Sequence, residues 1–443
     1  MKKRVLTALL IASGCAMCTS VSAKVWTLDE CIQYAMDNNI TLQKSGIARQ
    51  SAAEDVRQSK AKLLPSLSFS TSQNVNYTPW TASGTAMVTE GKVESSIDNV
   101  AYTGNYSLGA NWTVWDGNKT RNQIKLNSIA EQQAEVDSVT QARNIEEQIA
   151  QLYIQILYTK EAISVNKATL EAAKVNESRG QQMYEVGTIS KSDLSQLTAQ
   201  RAQDEYNVVQ AESQARTYTR QLKELLQITN EEVFDVAMPD YTDAMALQAV
   251  PSMMSVYDAA LQNRPEIRSA MMGIESAEIQ GRIAKAGRMP TVSLSASAAS
   301  NTSSRQSASW GYQMKENFNV GGGLNISIPI FDQRSTRTAI NKANLQRQQA
   351  ELDVRDKQTA LFSTIENYWI QAGNYQNQYK AAKVSTQSAK DSYDLLSEQF
   401  AVGLKNIVEL QDGKTRLLTA QQSELQSKYM AILNLKMLEF YKK

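Results

Sequence analysis

Residues 106–116 read Tyr106-Ser107-Leu108-Gly109-Ala110-Asn111-Trp112-Thr113-Val114-Trp115-Asp116, an alternation of apolar and small polar side chains that ends on an acid. A period of two puts Tyr106, Leu108, Ala110, Trp112 and Val114 on one face and Ser107, Gly109, Asn111 and Thr113 on the other, the pattern of a β-strand. Upstream, Leu67, Phe69, Thr71, Gln73, Val75 and Tyr77 alternate in the same way with Ser66, Ser68, Ser70, Ser72, Asn74 and Asn76. The two runs predict a β-hairpin over 66–115. Val292, Leu294, Ala296 and Ala298, followed by Val320, Gly322, Leu324, Ile326, Ile328 and Ile330, predict another over 291–331.

The second hairpin belongs to a second copy of the whole unit. Asn38, Ser51, Ala52, Lys60, Ala61, Pro65, Ser68 and Ser70 recur 225 positions on as Asn263, Ser276, Ala277, Lys285, Ala286, Pro290, Ser293 and Ser295. Beyond the hairpins the spacing becomes 216, and Arg121, Gln133, Asp137, Val186, Gly187 and Leu194 match Arg337, Gln349, Asp353, Val402, Gly403 and Leu410. Two ungapped registers that carry proline, glycine and strand positions mark a duplicated, domain-sized unit, well above solenoid periods of roughly 20–50 residues. The register slip falls between the paired strands, so that connection is longer in the first copy. The chain therefore reads as residues 24–228, a connector at 229–251 containing Pro239 and Pro251, and residues 252–443.

The N-terminus reads as a signal peptide over 1–23. Lys2, Lys3 and Arg4 precede an apolar run from Val5 to Met17, and Val21-Ser22-Ala23 offers the small residues that cleavage after Ala23 requires. The apolar run falls short of the roughly 20 residues that span a bilayer core. Lipoprotein processing at Cys15 is the alternative. No later stretch resembles a transmembrane helix, so any membrane crossing falls to the strands. Their length and dyad pattern match outer-membrane barrel strands. A half-buried soluble sheet alternates likewise, but the serine- and asparagine-rich face suits a water-filled lumen. Trp112, Trp115 and Phe331 collect at one end of the strands, with Trp80 and Trp310 in the connecting loops, as interfacial aromatic girdles do.

Composition narrows the function further. Without the three basic residues of the leader the chain has 43 basic against 45 acidic residues, a net of −2, which excludes the strongly basic balance of a nucleic-acid binder. It contains no histidine, which removes serine-histidine triads and histidine-based metal sites. Cys31 is alone once the leader leaves and reads as a small buried hydrophobe. No P-loop or dinucleotide fingerprint is present. The chain is not read as an enzyme and no cofactor is expected.

Asp116 and Asp332 are candidate N-caps for two very long helices. The first runs without proline to about Tyr184, roughly 100 Å at 1.5 Å per residue. Ile149, Ile156, Ile163 and Leu170 recur every seven residues, and Leu361, Ile365, Tyr368, Ala372, Tyr375, Tyr379 and Ala382 step by fours and threes, the spacing of left-handed coiled-coil packing. Both helices stop at a glycine, Gly187 and Gly403, and return. Four strands cannot close a barrel, and an open edge facing lipid is not tolerated. Copies must pool their strands, giving eight in a dimer or twelve in a trimer, with the long helices continuing the barrel as a hollow bundle. The fold class expected is mostly α with a shared transmembrane β-barrel.

In this order the residues resemble the TolC-type outer-membrane factors. The likeness rests on the opening Trp26-Thr27-Leu28-Asp29-Glu30-Cys31-Ile32, the junctions at Pro65 and Pro290, the steps Trp115-Asp116 and Phe331-Asp332, and the turns Tyr184-Glu185-Val186-Gly187-Thr188 and Phe400-Ala401-Val402-Gly403-Leu404. The resemblance implies a homotrimer in the outer membrane of a Gram-negative bacterium, with twelve strands and an α-helical periplasmic tunnel. It implies docking to a periplasmic adaptor and an inner-membrane transporter, for drug efflux or type I secretion. It further implies that Val186, Gly187, Val402 and Gly403 contact the adaptor. Glu409 and Asp412 would form the periplasmic constriction, and Lys405 and Phe400 would help hold it shut, with Asp193 a candidate partner for Lys405. Glutamate at 409 departs from the aspartate familiar there. The rival is a periplasmic coiled-coil adaptor or adhesion protein without a channel. It shares the heptads but has no reason for two amphipathic hairpins.

Overall fold

The computed structural model describes residues 24–80, 85–89, 92–96, 99–229, 234–239 and 241–442. The leader, and with it the cleavage and lipidation expectations, lies outside them. In chain order the elements are β1 (Lys24–Trp26), α1 (Leu28–Asn38), α2 (Ile40–Ala61), β2 (Ser66–Tyr77), β3 (Thr85–Thr89), β4 (Lys92–Ser96), β5 (Val100–Trp115), α3 (Lys119–Glu185) and α4 (Lys191–Leu225). They continue with β6 (Phe234–Val236), α5 (Asp243–Ala246), α6 (Met253–Asn263), α7 (Pro265–Ala286), β7 (Thr291–Ser303), α8 (Trp310–Glu316), β8 (Asn319–Ser327), α9 (Ser335–Ala401) and α10 (Ile407–Lys442). Among the described residues no helix is long and apolar enough to cross a membrane.

The chain folds into two compact units, and each takes segments from both sequence copies. One comprises residues 1–39, 145–248 and 374–433, and the other 40–144, 249–373 and 434–443.

The second of these units holds a four-stranded antiparallel sheet in the order β2-β5-β7-β8. β2 pairs with β5 from Ser66↔Asn111 to Tyr77↔Val100, and β7 with β8 from Thr291↔Ser327 to Ala299↔Asn319. The two hairpins join through β5 and β7, with a register shift between Thr113 and Trp115. β2 and β8 are edges, and every residue in them is exposed. The connecting loops of the two hairpins hold structure: a β3–β4 hairpin in the first copy and α8 in the second. In the same unit, Val256, Ala260, Ile267, Leu361, Ile365, Ala372 and Leu438 form an apolar core, so the stripe read on α9 packs inward.

The first helical stretch, α1 and α2, is broken at Asn39. That residue is extended (ψ 124°), and its side chain donates to the Leu225 carbonyl at 2.9 Å. Its counterpart Arg264 is also extended and precedes Pro265, which starts α7 because a first-turn proline lacks no needed donor. Arg264 stacks its guanidinium over the Tyr441 ring at 3.8 Å.

In the other unit, β1 and β6 form a parallel ribbon bound to α3. The Tyr153 hydroxyl donates to the Ala237 carbonyl at 2.8 Å, and Lys160 binds the Asp235 carboxylate and the Val236 carbonyl. On α9, Tyr379 and Lys383 both donate to Asp243 of α5. Those two donors hold the Asp243 carboxyl below the usual carboxylate range. Ile149 and Ile156 of the heptad stripe are fully buried.

Asp116 and Asp332 do cap the long helices, from two residues further out than an N-cap. Asp116 accepts from the Thr120 amide and Asp332 from the Thr336 amide, each at 2.8 Å. Between cap and helix lie two left-handed residues, Gly117 and Asn118 in one copy and Gln333 and Arg334 in the other.

Candidate functional site

Two helix reversals close the first unit. α3 ends in a Schellman turn: the Gly187 amide donates to the Tyr184 carbonyl at 2.9 Å and the Thr188 amide to the Met183 carbonyl at 2.8 Å. α9 ends identically, with the Gly403 amide on Phe400 at 3.0 Å and the Leu404 amide on Gln399 at 2.9 Å. Gly187 and Gly403 carry φ of +77° and +74°, which only glycine adopts without penalty, and nothing lies within 4 Å of where a Cβ would stand. Val186 and Val402 flank them at 75% and 70% exposure.

Each returning helix opens with a capping box. Ser190 and Asp193 exchange bonds at the start of α4: the Asp193 amide donates to the Ser190 hydroxyl at 3.1 Å, and the Ser190 hydroxyl to the Asp193 carboxylate at 2.8 Å. Asn406 and Glu409 do the same for α10, with the Glu409 amide on the Asn406 side chain at 2.9 Å. Lys405 donates to the other oxygen of Glu409 at 2.7 Å. Within the protomer, then, Lys405 is paired with Glu409 and not with Asp193, whose carboxylate is committed to its own cap. The Lys405 ammonium, followed by the Asn406 amide, holds the Glu409 carboxyl below its ordinary value of 4.5. Asp412, one turn on, pairs with Arg416 at 2.8 Å in the open.

Behind the turns Phe400, 2% exposed, packs with Leu197, Tyr393, Ile407 and Leu410. One feature that the sequence reading missed lies just deeper. Lys414 of α10 and Asp204 of α4 form an ion pair with side chains 7% and 1% exposed, and Gln200 donates to the second Asp204 oxygen at 3.1 Å. Asp204 falls on the stripe Leu197-Arg201-Asp204-Val208, and Lys414 on Leu410-Lys414-Leu417. Opposite charges on two apolar stripes were the available signal.

Trp112, Trp115 and Phe331 stand at the helix-proximal end of the sheet. The Trp112 indole donates to the Leu63 carbonyl at 2.9 Å, and Trp115 sits opposite Val292.

Residues 31–227 and 256–440 match the outer membrane efflux protein family. The chain belongs to that family. Outer membrane protein TolC of Salmonella enteritidis is 23% identical over 94% of this chain and 81% of its own length. The probable efflux pump outer membrane protein TtgC of Pseudomonas putida is 22% identical over 89% and 78%. Among solved structures, CusC superimposes with a TM-score of 0.79 at 15% identity, covering 94% of this chain and 91% of CusC. The open state of the Neisseria gonorrhoeae MtrE channel gives 0.74 at 16%, covering 94% and 88%. This outer membrane efflux protein thus has the fold of the outer-membrane channels, a barrel continued by a helical tunnel. It is an exit duct of efflux systems, set in the outer membrane and extending into the periplasm.

Proposed function

We propose that the duct is a homotrimer with a twelve-stranded barrel, whose helical turns form a periplasmic entrance that an adaptor and an inner-membrane transporter open. The bare edges of β2 and β8 carry this reading, because unpaired strand edges do not persist in lipid. Threefold symmetry would turn Glu409 and Asp412 into two stacked carboxylate rings, and such rings favour cations in pores. Lys405 neutralises Glu409 within each protomer, and its release from Glu409 would go with opening. Phe400 anchors α9 in the apolar core behind the turn. Val186 and Val402, beside the two glycines, offer the adaptor an apolar surface.

Planar-bilayer recording tests the entrance. Glu409→Ala with Asp412→Ala is expected to weaken cation preference, and Lys405→Ala to raise basal conductance, in channels of trimeric mass. Variants that conduct and select like the parent would place the constriction elsewhere along the helices.

A further inference from the structure

The junction between β8 and α9 gathers Arg288, Arg334 and Arg337 around a cavity of about 540 Å³. No carboxylate pairs with any of the three among the described residues. The one acid in its lining, Asp332, is turned to the Thr336 amide at the start of α9, so the cavity keeps an excess of positive charge. Its lip is apolar and bare: Ile330 is 96% and Phe331 85% exposed. That lip continues, by way of Ile328 just past the end of the strand, the apolar face of β8 that carries Leu324 and Ile326.

The corresponding junction of the first copy serves as an internal control. There Leu63, Asn118 and Arg121 stand in place of Arg288, Arg334 and Arg337, leaving one arginine of three, with Lys62 and Lys119 one position away. Arg334 also holds a left-handed backbone (φ +68°) that Asn118 occupies in the first copy. Asparagine tolerates that region better than a long side chain does.

We propose that this junction binds the phosphate of an anionic phospholipid in the periplasm-facing leaflet, with the acyl chains lying along the apolar face of β8. The charge suits the phosphate, since guanidinium forks match it bidentately, and the bare apolar lip beside it suits the chains. A soluble phosphate has no use for that lip. The site rests on the family's membrane placement and not on the entrance gate, so the two readings fail separately.

The test uses the whole protein, stripped of lipid in detergent and offered dioleoylphosphatidylglycerol or dioleoylphosphatidylcholine, with bound lipid counted by native mass spectrometry. Phosphatidylglycerol is expected to be retained roughly 30-fold better, the scale of two interfacial arginines at about 1 kcal/mol each. Arg288→Gln, Arg334→Gln and Arg337→Gln together should remove that preference, and Arg121→Gln should keep it. The same spectrum reports oligomeric mass. If the triple variant loses it, Arg288→Gln and Arg337→Gln are measured singly, and each must lower the preference at least about twofold. Equal retention of both lipids by the parent overturns the proposal, as does a preference that survives arginine loss. Displacement of phosphatidylglycerol by millimolar inorganic phosphate would also overturn it, making the site one for free phosphate.

Discussion

At Gly187 and at Gly403 the chain reverses through the same pair of backbone bonds and restarts through the same kind of capping box. The side chains around the two turns diverge. Ile189 stands where the second turn has Lys405, so only the second turn pairs its capping acid with a cation. Packing is inverted as well. Gly180 of α3 makes room for Leu197 of α4, whereas the matching positions are Leu396 of α9 and Gly413 of α10, where a Cβ would lie 2.6 Å from the Leu396 methyl. The buried pair of Asp204 and Lys414 has no duplicate either, its counterparts being Ala420 and Thr198. Duplication preserved the backbone solution, and the two hairpins then became distinct parts.

The largest effect should come from the unduplicated pair. Asp204→Ala or Lys414→Ala leaves a buried charge alone and should cost about 3–5 kcal/mol, read as a fall in the thermal midpoint in detergent. Asp204→Leu with Lys414→Met should recover most of that loss. Recovery failing in a well-folded double variant would mean the pair does more than hold two helices together. Next comes the inverted packing. Leu197→Gly empties a core position and should cost about 3 kcal/mol, while Gly180→Leu alone overfills the same space. Combined, they reproduce the arrangement of the second turn and should be more stable than Leu197→Gly by at least ~1 kcal/mol. Additive losses would show that the two hairpins are not interchangeable even in shape. The smallest effect on stability belongs to Lys405. Because the Glu409 carboxyl titrates below its ordinary 4.5, the contact is intact above that value and is lost only as the pH falls through the lower folded value. Basal conductance should therefore stay flat from neutral down to about pH 4.5 and rise beneath it, with Lys405→Ala already raised at neutral pH and its thermal midpoint unchanged.

The period-two runs at 66–77, 106–115, 292–298 and 320–326 were legible because each strand keeps one face apolar, although the last was read on to Ile330 and β8 ends at Ser327, and the glycine turns were legible because a left-handed residue is needed there. The break at Asn39 was not, since an asparagine inside a helical pattern carries no strong stop signal. Transfer of Pro265 through the 225-residue register would have revealed it. Lys405 was read against Asp193 because both lie near the turns, but a partner one helical turn away, Glu409, is reached at no cost in chain closure. Asp204 and Lys414 escaped notice because they lie far apart in sequence, and only their shared place on apolar stripes announces them. The arginines of the second junction come from two stretches of chain, Arg288 after α7 and Arg334 and Arg337 at the start of α9, and their convergence is a property of the fold alone.

The order β2-β5-β7-β8 has a geometric consequence for closure. Its two free edges are different strands, so a joining seam sets β8 of one copy against β2 of the next, and such head-to-tail contacts build closed rings or open arrays. Because the protomer supplies an even number of strictly alternating strands, β8 and a neighbour's β2 run in opposite directions. The seam is then antiparallel whatever the number of subunits. Strand parity thus leaves ring size free, and curvature and the helices beneath must decide how many copies close the circle.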